Sequence, residues 1–381
     1  MLYALFRALL FRLPPEQAHR AALRALHAMV AMPGGAAALR ALTAASHPVR
    51  VLGLDFANPV GLAAGFDKNA EHVAVLAALG FGFIEVGSVT ARPWPGNPTP
   101  RLFRLPADRA LINRMGLNNQ GAEAVAARLG APHAVPLFVN VAKTPDPALE
   151  GAAAIDDYAE TVRRLAPYAD AVVLNVSCPN SGDGRTFEEP AALDPLLVAA
   201  LAARGAGGPP LLVKISPDLD RGLLREVVEV AEAHGVDGFT ATNTTVHREG
   251  LRTPPGRLSA IGRGGLSGVP LHPRALSTVA ALRALTARPI VGVGGVDGPD
   301  TARALLDAGA QLVQLYTGFI YRGPTVVRRI VKGLVPPQKR VVNPTPEGPT
   351  TGTQAASSAG SSANQAQAAA APTAAPTPNK T

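Results

Sequence analysis

The chain has 381 residues, of which 47% are hydrophobic, and this is enough for one large domain with attachments or for two domains. A single cysteine excludes an internal disulfide framework and a thiolate-rich metal cluster, and it fits a reducing compartment. The formal charge of +8 is uneven, because residues 1–50 hold six arginines and one glutamate. This basic segment could therefore face anionic lipid. Nucleic acid is not an expected partner, because the segment lacks the aromatic stacking platform that single-strand binding uses.

Residues 1 to about 48 are predicted to be helical. Apolar residues recur at three- and four-residue steps on both sides of the Pro-Pro pair at 14–15, which predicts two helices with one apolar face each. The Pro-Gly-Gly run at 33–35 ends the second helix. Two basic amphipathic helices could lie on a membrane surface or pack as a cap on the main domain, and this segment alone leaves both open.

Neither a transmembrane helix nor a secretory signal is expected in this segment. Its longest apolar stretch lies between Arg24 and Arg40 and is too short for a bilayer core of ~30 Å. Arg7 and Arg12 interrupt any apolar signal core.

The middle of the chain, residues 49–335, alternates short β-branched runs with amphipathic helical stretches. Runs without polar alternation are typical of parallel strands buried on both faces. Eight strand–helix units predict an α/β fold, a (β/α)8 TIM barrel, and an open doubly wound sheet is the alternative. The runs are PVGLAAG (59–65), FIEVGSVT (83–90), LFVNVA (137–142), AVVLNVSC (171–178), LLVKIS (211–216), GFTATN (238–243), IVGVGG (290–295) and LVQLYT (312–317).

Two connections are long, residues 91–136 after the second predicted strand and 244–289 after the sixth. Long loops at the carboxyl ends of barrel strands are where active sites are built. The tail, residues 342–381, consists of Ala, Pro, Thr, Ser, Gln and Gly with few charges, so it is predicted to be disordered.

Amides, lysines and glycines collect where the predicted strands end. Taken singly, each has a structural explanation; Asp67, for example, could cap the next helix. Together they form a ring on one barrel face that holds no His pair and no carboxylate cluster, so a metal site is not expected. Many amides suit a flat ligand with hydrogen-bonding edges, such as a pyrimidine or flavin, and the glycines of GGLSG (264–268) and GVGG (292–295) suit a phosphate. A lysine ending a strand, such as Lys214, can neutralise a reduced flavin.

In order along the chain, the motifs AGFDKN, RPWPGNPTPRLFRLP, NRMGLNNQG, LNVSCPN, VKISPDL, ATNTT, GGLSG, GVGGVD and QLYTGFIYRGP resemble those of dihydroorotate dehydrogenases. The resemblance runs from about residue 50 to 335, and the N-terminal helical extension, residues 1–48, resembles the membrane-associated, quinone-reducing class 2. It implies oxidation of dihydroorotate to orotate in pyrimidine synthesis, with FMN as hydride acceptor and a quinone as final acceptor. It also implies a peripheral enzyme on the cytoplasmic side of the bacterial inner membrane.

The resemblance implies roles for individual residues as well. Cys178 would be the catalytic base. FMN would contact Ala64, Gly65, Phe66, Asp67, Lys68, Ser88, Asn140, Asn175, Lys214, Thr242, Gly268, Gly295, Tyr316 and Thr317. The substrate would contact Lys68, Asn113, Arg114, Met115, Gly116, Leu117, Asn175, Asn180, Asn243 and Thr244. The N-terminal helices would form an apolar mouth for the quinone, which His19 could line, although a surface histidine is the simpler expectation.

The sequence departs from the class pattern at three places. Cys178 stands where the quinone-reducing class usually has serine, and cysteine there is typical of the soluble class that uses fumarate or NAD. Leu117 replaces a usual aromatic residue, and SGDGR (181–185) differs from the usual segment after the base. A soluble-class acceptor therefore stays open. So does a phosphate-binding barrel with a nucleophilic cysteine, of the nucleotide dehydrogenase type.

Overall fold

The computed structural model describes residues 2–177 and 187–335 of the chain. Its strands are β1 (Val49–Val51), β2 (Leu54–Phe56), β3 (Val60–Leu62), β4 (Phe83–Val89), β5 (Leu102–Leu105), β6 (Ala110–Asn113), β7 (Leu137–Val141), β8 (Ala171–Leu174), β9 (Leu211–Ile215), β10 (Gly238–Ala241), β11 (Gly265–Gly268), β12 (Ile290–Val293) and β13 (Leu312–Leu315). Its helices are α1 (Leu2–Leu10), α2 (Pro15–Ala31), α3 (Gly35–Thr43), α4 (Val73–Ala77), α5 (Gly121–Leu129), α6 (Gly151–Leu165), α7 (Pro190–Arg204), α8 (Arg221–Ala233), α9 (Pro255–Ile261), α10 (His272–Leu285), α11 (Pro299–Asp307), α12 (Thr317–Arg322) and α13 (Val326–Leu334).

Eight parallel strands close into a barrel in the order β3, β4, β7, β8, β9, β10, β12 and β13. This is the order of the chain, so each strand pairs with the next one, and β13 pairs with β3 to close the barrel. Residues on both faces of these strands are buried almost without exception, which explains why their sequences are apolar without alternation. The predicted TIM barrel and its eight strand positions are confirmed.

The hairpin formed by β1 and β2 closes the amino-terminal end of the barrel. Phe56 packs its ring edge-on against Phe83 and Phe138, with ring centroids 5.5 and 6.2 Å apart. All three rings are almost fully buried. Because this end is filled with aromatic side chains, a ligand can enter only from the carboxyl ends of the strands.

A three-stranded antiparallel sheet, β5–β6–β11, arises from the two long connections. Asn113 is the register partner of both Leu102 in β5 and Gly265 in β11. The long connections were predicted as loops near the active site, and the sheet within them was not predicted. Pairing β6 with β11 joins segments about 150 residues apart, and local sequence patterns carry no record of such a contact.

Three N-terminal helices are present where two were predicted. The predicted break at 33–35 is confirmed, but Gly34 takes a left-handed conformation, with φ of 75°, and the chain starts the additional helix α3. Helix α1 is attached to the barrel by the Tyr3 hydroxyl, which donates to the Ile320 carbonyl at 2.5 Å, and by Arg7, which donates to the Tyr321 carbonyl at 2.6 Å.

Helix α2 is attached to the barrel by an ion pair between Glu16 and Arg101, with 3.0 Å between the charged atoms.

Among the described residues no single helix is long and apolar enough to cross a membrane. Helices α2 and α3, bent by 114°, pass that test as a pair by length and composition. The predicted disordered tail, residues 342–381, lies outside the described residues.

Candidate active site

A cavity opens at the carboxyl ends of the barrel strands, under the β5–β6–β11 sheet. Most of the residues predicted to bind cofactor or substrate line it together, although they come from all parts of the barrel. These residues are Ala64, Gly65, Lys68, Ser88, Asn113, Met115, Gly116, Leu117, Asn175, Lys214, Thr242, Asn243, Thr244, Gly268, Gly295, Tyr316 and Thr317.

Amide side chains form a connected group on one wall of the cavity. The Nδ2 group of Asn243 donates to Asn175 Oδ1 at 3.1 Å, and Nδ2 of Asn175 donates to Ser88 Oγ at 2.9 Å. The hydroxyl of Tyr158 donates a hydrogen bond to the Asn175 carbonyl oxygen at 2.8 Å. These bonds fix the orientation of each amide, so the remaining polar atoms are presented to a ligand in a set arrangement.

The lysines that line the cavity are held in different ways. Lys68 Nζ donates to the Gly65 carbonyl at 2.9 Å, close to the turn that follows β3. Lys214 lies deeper, at 6% exposure, and its Nζ is 3.2 Å from a carboxylate oxygen of Glu85. The cavity therefore has one cation near its mouth and one at its floor.

Glycines give the cavity a wall of exposed backbone at β11 and β12. Gly268 and Gly295 both have positive φ angles, 100° and 69°. A Cβ atom at Gly268 would lie 2.4 Å from the Arg109 carbonyl oxygen, and one at Gly295 would lie 2.4 Å from the Cβ of His272. Only glycine fits these positions, and backbone without side chains allows an oxyanion such as a phosphate to approach closely.

Two residues at and beneath the floor of the cavity were not predicted from the sequence. Glu85 is fully buried on β4 and accepts hydrogen bonds from Lys214, Asn140 and Gln314. Gln314 lines the cavity, and its Oε1 atom has no partner among the described residues. The missed signal was a lone charged residue inside an apolar run, FIEVGSVT, where only the strand ends were considered.

Four predicted cofactor or substrate residues do not line the cavity. The Asp67 carboxylate accepts the backbone N–H groups of Glu71 and His72 at 3.0 and 2.7 Å, so it shapes the loop before α4. Arg114 turns away to the Ile261 carbonyl at 2.5 Å and stacks on Phe103. The other two are Phe66, which packs among aromatic rings, and Asn140, which is fully buried beneath the cavity.

The predicted base, Cys178, and the predicted substrate contact Asn180 lie outside the described residues. The residue before Cys178, Ser177, is described and buried. Asn243 donates to its carbonyl oxygen at 3.0 Å. The chain is thus fixed at the cavity wall immediately before the segment that carries the cysteine.

His19 on α2 is half-buried, with its ring against Phe66. Its ring centroid lies 4.7 Å from that of Phe66, whose ring lies 5.5 Å from that of Tyr316 in the cavity wall. Burial, with Lys68 and His72 nearby, lowers the pKa of His19 to about 4, so the ring is neutral at pH 7. An aromatic row therefore connects α2 with the cavity.

No group of three or more His, Cys, Asp or Glu side chains that could hold a metal ion occurs among the described residues. The chemistry of the cavity is instead that of amides, two ammonium groups and open backbone. This donor set fits a flat, anionic organic ligand with a phosphate.

Comparisons with known proteins show similarity to one enzyme family. The family model for dihydroorotate dehydrogenase matches residues 47–336. The dihydroorotate dehydrogenase (quinone) of Thermobifida fusca is 47% identical over 348 residues, covering 88% of this chain and 92% of that protein. The protein of the same name from Salinispora arenicola is 49% identical over 330 residues, covering 84% and 95%.

Solved structures agree with the fold. The crystal structure of DHODH from Eimeria tenella in complex with ferulenol superposes with a TM-score of 0.70 at 33% identity, covering 81% of this chain and 93% of that one. Its ligand-free form from the same organism has the same TM-score at 37% identity, covering 75% and 86%. On this evidence, the chain belongs to the dihydroorotate dehydrogenase family.

Proposed function

We propose that this chain oxidises dihydroorotate to orotate in pyrimidine synthesis, with FMN as the hydride acceptor and a quinone as the final electron acceptor. The observation that carries the proposal is the cavity itself, where the amide group, Lys68, Lys214 and the glycine wall meet in a member of this family. The relatives named above carry the word quinone in their names, which supports that acceptor over fumarate or NAD.

The residues present fit FMN. The Oε1 atom of Gln314, which has no partner in the described part of the chain, offers an acceptor at the cavity floor, and Lys214 offers a positive charge there. The open backbone at Gly268 and Gly295, with Thr317 beside it, suits the phosphate. When bound, FMN supplies a two-electron hydride acceptor, which no protein side chain can provide.

The substrate side of the proposal uses the amide group and Lys68. Dihydroorotate is a ring with several N–H and C=O groups and a carboxylate. Asn175, Asn243 and Asn113 line the cavity and suit the ring edges, and the ammonium of Lys68 suits the carboxylate. The fixed hydrogen bonds of these amides would hold carbon 6 of the ring in one orientation toward the flavin.

Cys178 is proposed as the general base, from its sequence position directly after the fixed residue Ser177. It takes the proton from carbon 5 of dihydroorotate while carbon 6 loses hydride. A thiol has an ordinary pKa of ~8.5, so a modest shift makes it a thiolate near neutral pH. Serine, usual in this class, is far less acidic and needs more assistance.

The N-terminal helices are proposed as the place where the quinone enters. Leu5, Leu9 and Met32 are 68%, 60% and 59% exposed, although they are large and apolar. Arginines such as Arg12 and Arg24 accompany them, which suits a surface of anionic lipid. We therefore propose residues 1–48 as a membrane-docking and quinone-access extension, residues 49–335 as the catalytic domain, and a peripheral location on the cytoplasmic side of the inner membrane.

Residues 342–381 are proposed, from their composition, to be a disordered tail outside the catalytic machinery.

The test separates the two halves of the reaction. The purified protein is reduced anaerobically with dihydroorotate, and flavin absorbance is followed; then a short-chain quinone, fumarate or NAD is added in separate samples. Bleaching by dihydroorotate and rapid reoxidation by quinone alone are expected. Reoxidation by fumarate or NAD instead would overturn the acceptor, and no bleaching would overturn the substrate. Cys178→Ala is the control for chemistry, since it should retain FMN yet bleach much more slowly.

A further inference from the structure

We propose that Glu85 is a positioning residue for the flavin half of the reaction, which it serves by fixing Lys214 and two buried amides beneath the cavity. The proposal rests on the proposed function in taking FMN as the cofactor. Glu85 itself does not line the cavity, so it would act through the groups that it holds.

Glu85 belongs to a polar layer inside the barrel. The layer toward the amino-terminal end is apolar and contains Phe83 and Phe138, two residues before Glu85 and Asn140 on the same strands. Toward the carboxyl end lies the cavity. A carboxylate with no exposed surface is strongly disfavoured in such a place unless donors surround it.

Three donors from three other strands converge on this carboxylate. Nδ2 of Asn140 on β7 is 2.7 Å from Oε1, and Nζ of Lys214 on β9 is 3.2 Å from the same oxygen. Nε2 of Gln314 on β13 is 2.6 Å from Oε2. The carboxylate of Glu85 on β4 therefore links side chains of β7, β9 and β13 at the level of the cavity floor.

This arrangement fixes which atoms the amides present. An ionised carboxylate only accepts hydrogen bonds, so both amides must turn their NH2 groups toward Glu85. Asn140 then turns its oxygen to the hydroxyl of Ser88, which donates to it. The oxygen of Gln314 has no partner among the described residues, and this buried acceptor suits the ring N–H of a flavin.

The position of the Lys214 ammonium depends on the same contact. Within the described part of the chain its one hydrogen bond is to Glu85, and it is 6% exposed. A buried ammonium is strongly disfavoured unless a negative charge lies beside it. Glu85 therefore compensates the charge of Lys214 and holds its Nζ in place, and a cation there stabilises the reduced, anionic flavin.

A double-mutant cycle tests whether Glu85 acts through Lys214. The variants are Glu85→Gln, Lys214→Met and the two combined, each purified with FMN. Two quantities are measured: the reduction potential of bound FMN by photochemical reduction against a reference dye, and the rate constant of flavin reduction by dihydroorotate in anaerobic stopped flow. The potential needs no substrate, so it tests Glu85 even if dihydroorotate proves to be the wrong substrate.

We expect Glu85→Gln to shift the potential and to slow flavin reduction by roughly 10- to 100-fold. In the Lys214→Met background its effect on the rate should be clearly smaller, because only its contacts with the two amides remain to be lost. Thr240→Val is the matched control, because Thr240 is equally buried on β10 and makes no hydrogen bond to Glu85. That variant should keep the parent rate and potential.

Equal effects of Glu85→Gln in both backgrounds, or no effect in either, would overturn the proposal. If the single variant fails to fold while the combined variant folds and binds FMN, the dependence on Lys214 is shown by stability instead. Failure of both to fold would mean that Glu85 serves the barrel alone, and this also overturns the proposal. A shifted potential without any reduction by dihydroorotate would overturn the proposed function but not this role.

Discussion

At the scale of single residues, Glu188 shows how burial changes a carboxylate. It is 3% exposed and accepts the backbone N–H of Ser216 at 2.7 Å. Burial, with a smaller effect of Asp218, raises the pKa of Glu188 to about 7. The folded protein thus holds this proton more tightly than the unfolded chain, whose glutamate has a pKa of 4.5. Stability is therefore lost as the pH rises from about 4.5 to 7.

Glu188→Gln removes this pH dependence while keeping an oxygen that can accept from Ser216. We expect the variant to be more stable than the parent at pH 8, by up to about 3 kcal/mol, and equal to it at pH 4. Urea unfolding at both pH values measures the difference. Glu189→Gln, at the exposed neighbouring position, is the control and should leave stability unchanged at both. A gain of the same size at pH 4 would contradict the titration of Glu188.

The sequence predicted which strand-end residues lie near the cavity, but it predicted the direction of their side chains only in part. Lys214, Asn175 and Gly295 were expected at the cavity because parallel strands of a barrel end on one face. Arg114 stands in the same motif as Asn113, yet the two side chains diverge, because Arg114 stacks on Phe103 outside the cavity. Sequence order gives the place of a backbone segment and not the direction of its side chains.

At the scale of elements, buried strands were the easiest to predict and paired loops the hardest. The strands β7 and β9 are apolar without alternation, apart from Asn140 and Lys214, because both of their faces are covered. The β5–β6–β11 sheet was missed because its strands are short and their partners are distant in sequence. Helix α3 was not predicted because a Pro-Gly-Gly run is typical of a helix end. A glycine with a positive φ angle can also precede the start of another helix.

Helix α1 carries the prediction that belongs to this scale. Leu5→Glu and Leu9→Glu alter exposed positions, so the fold should change by no more than about 0.5 kcal/mol. The added charges should weaken binding to anionic vesicles and lower quinone turnover several-fold, while flavin reduction by dihydroorotate stays near the parent rate. Vesicle co-sedimentation and the two half-reactions measure these quantities.

The matched control for α1 is Val198→Glu on α7, because Val198 is a comparably exposed apolar residue, 53% exposed, outside the N-terminal segment. It should affect neither vesicle binding nor quinone turnover. Equal loss in both half-reactions of the α1 variants would show that the helix supports the catalytic domain in general and does not serve the quinone.

At the scale of the whole molecule, the two ends of the barrel differ in whether protein side chains fill them. The amino-terminal end is filled by Phe56 and its aromatic neighbours. At the carboxyl end, the buried Gln314 Oε1 has no hydrogen-bond partner among the described residues, and the backbone at Gly268 and Gly295 carries no side chain. We expect FMN to complete this end and thereby stabilise the entire fold.

A ligand that binds only the folded state stabilises it by about 2.7 kcal/mol at a concentration 100 times its Kd. With an unfolding entropy of ~2.1 cal/mol/K per residue, that free energy raises the Tm of a chain of this size by about 3 °C. Thermal unfolding of the flavin-free protein across an FMN titration measures the shift. Riboflavin keeps the ring and lacks the phosphate, so it should stabilise the protein less at equal concentration if the glycine wall holds that phosphate. An equal shift with both ligands would leave the ring contacts at the barrel floor as the source of the stabilisation and would remove the phosphate role from Gly268 and Gly295.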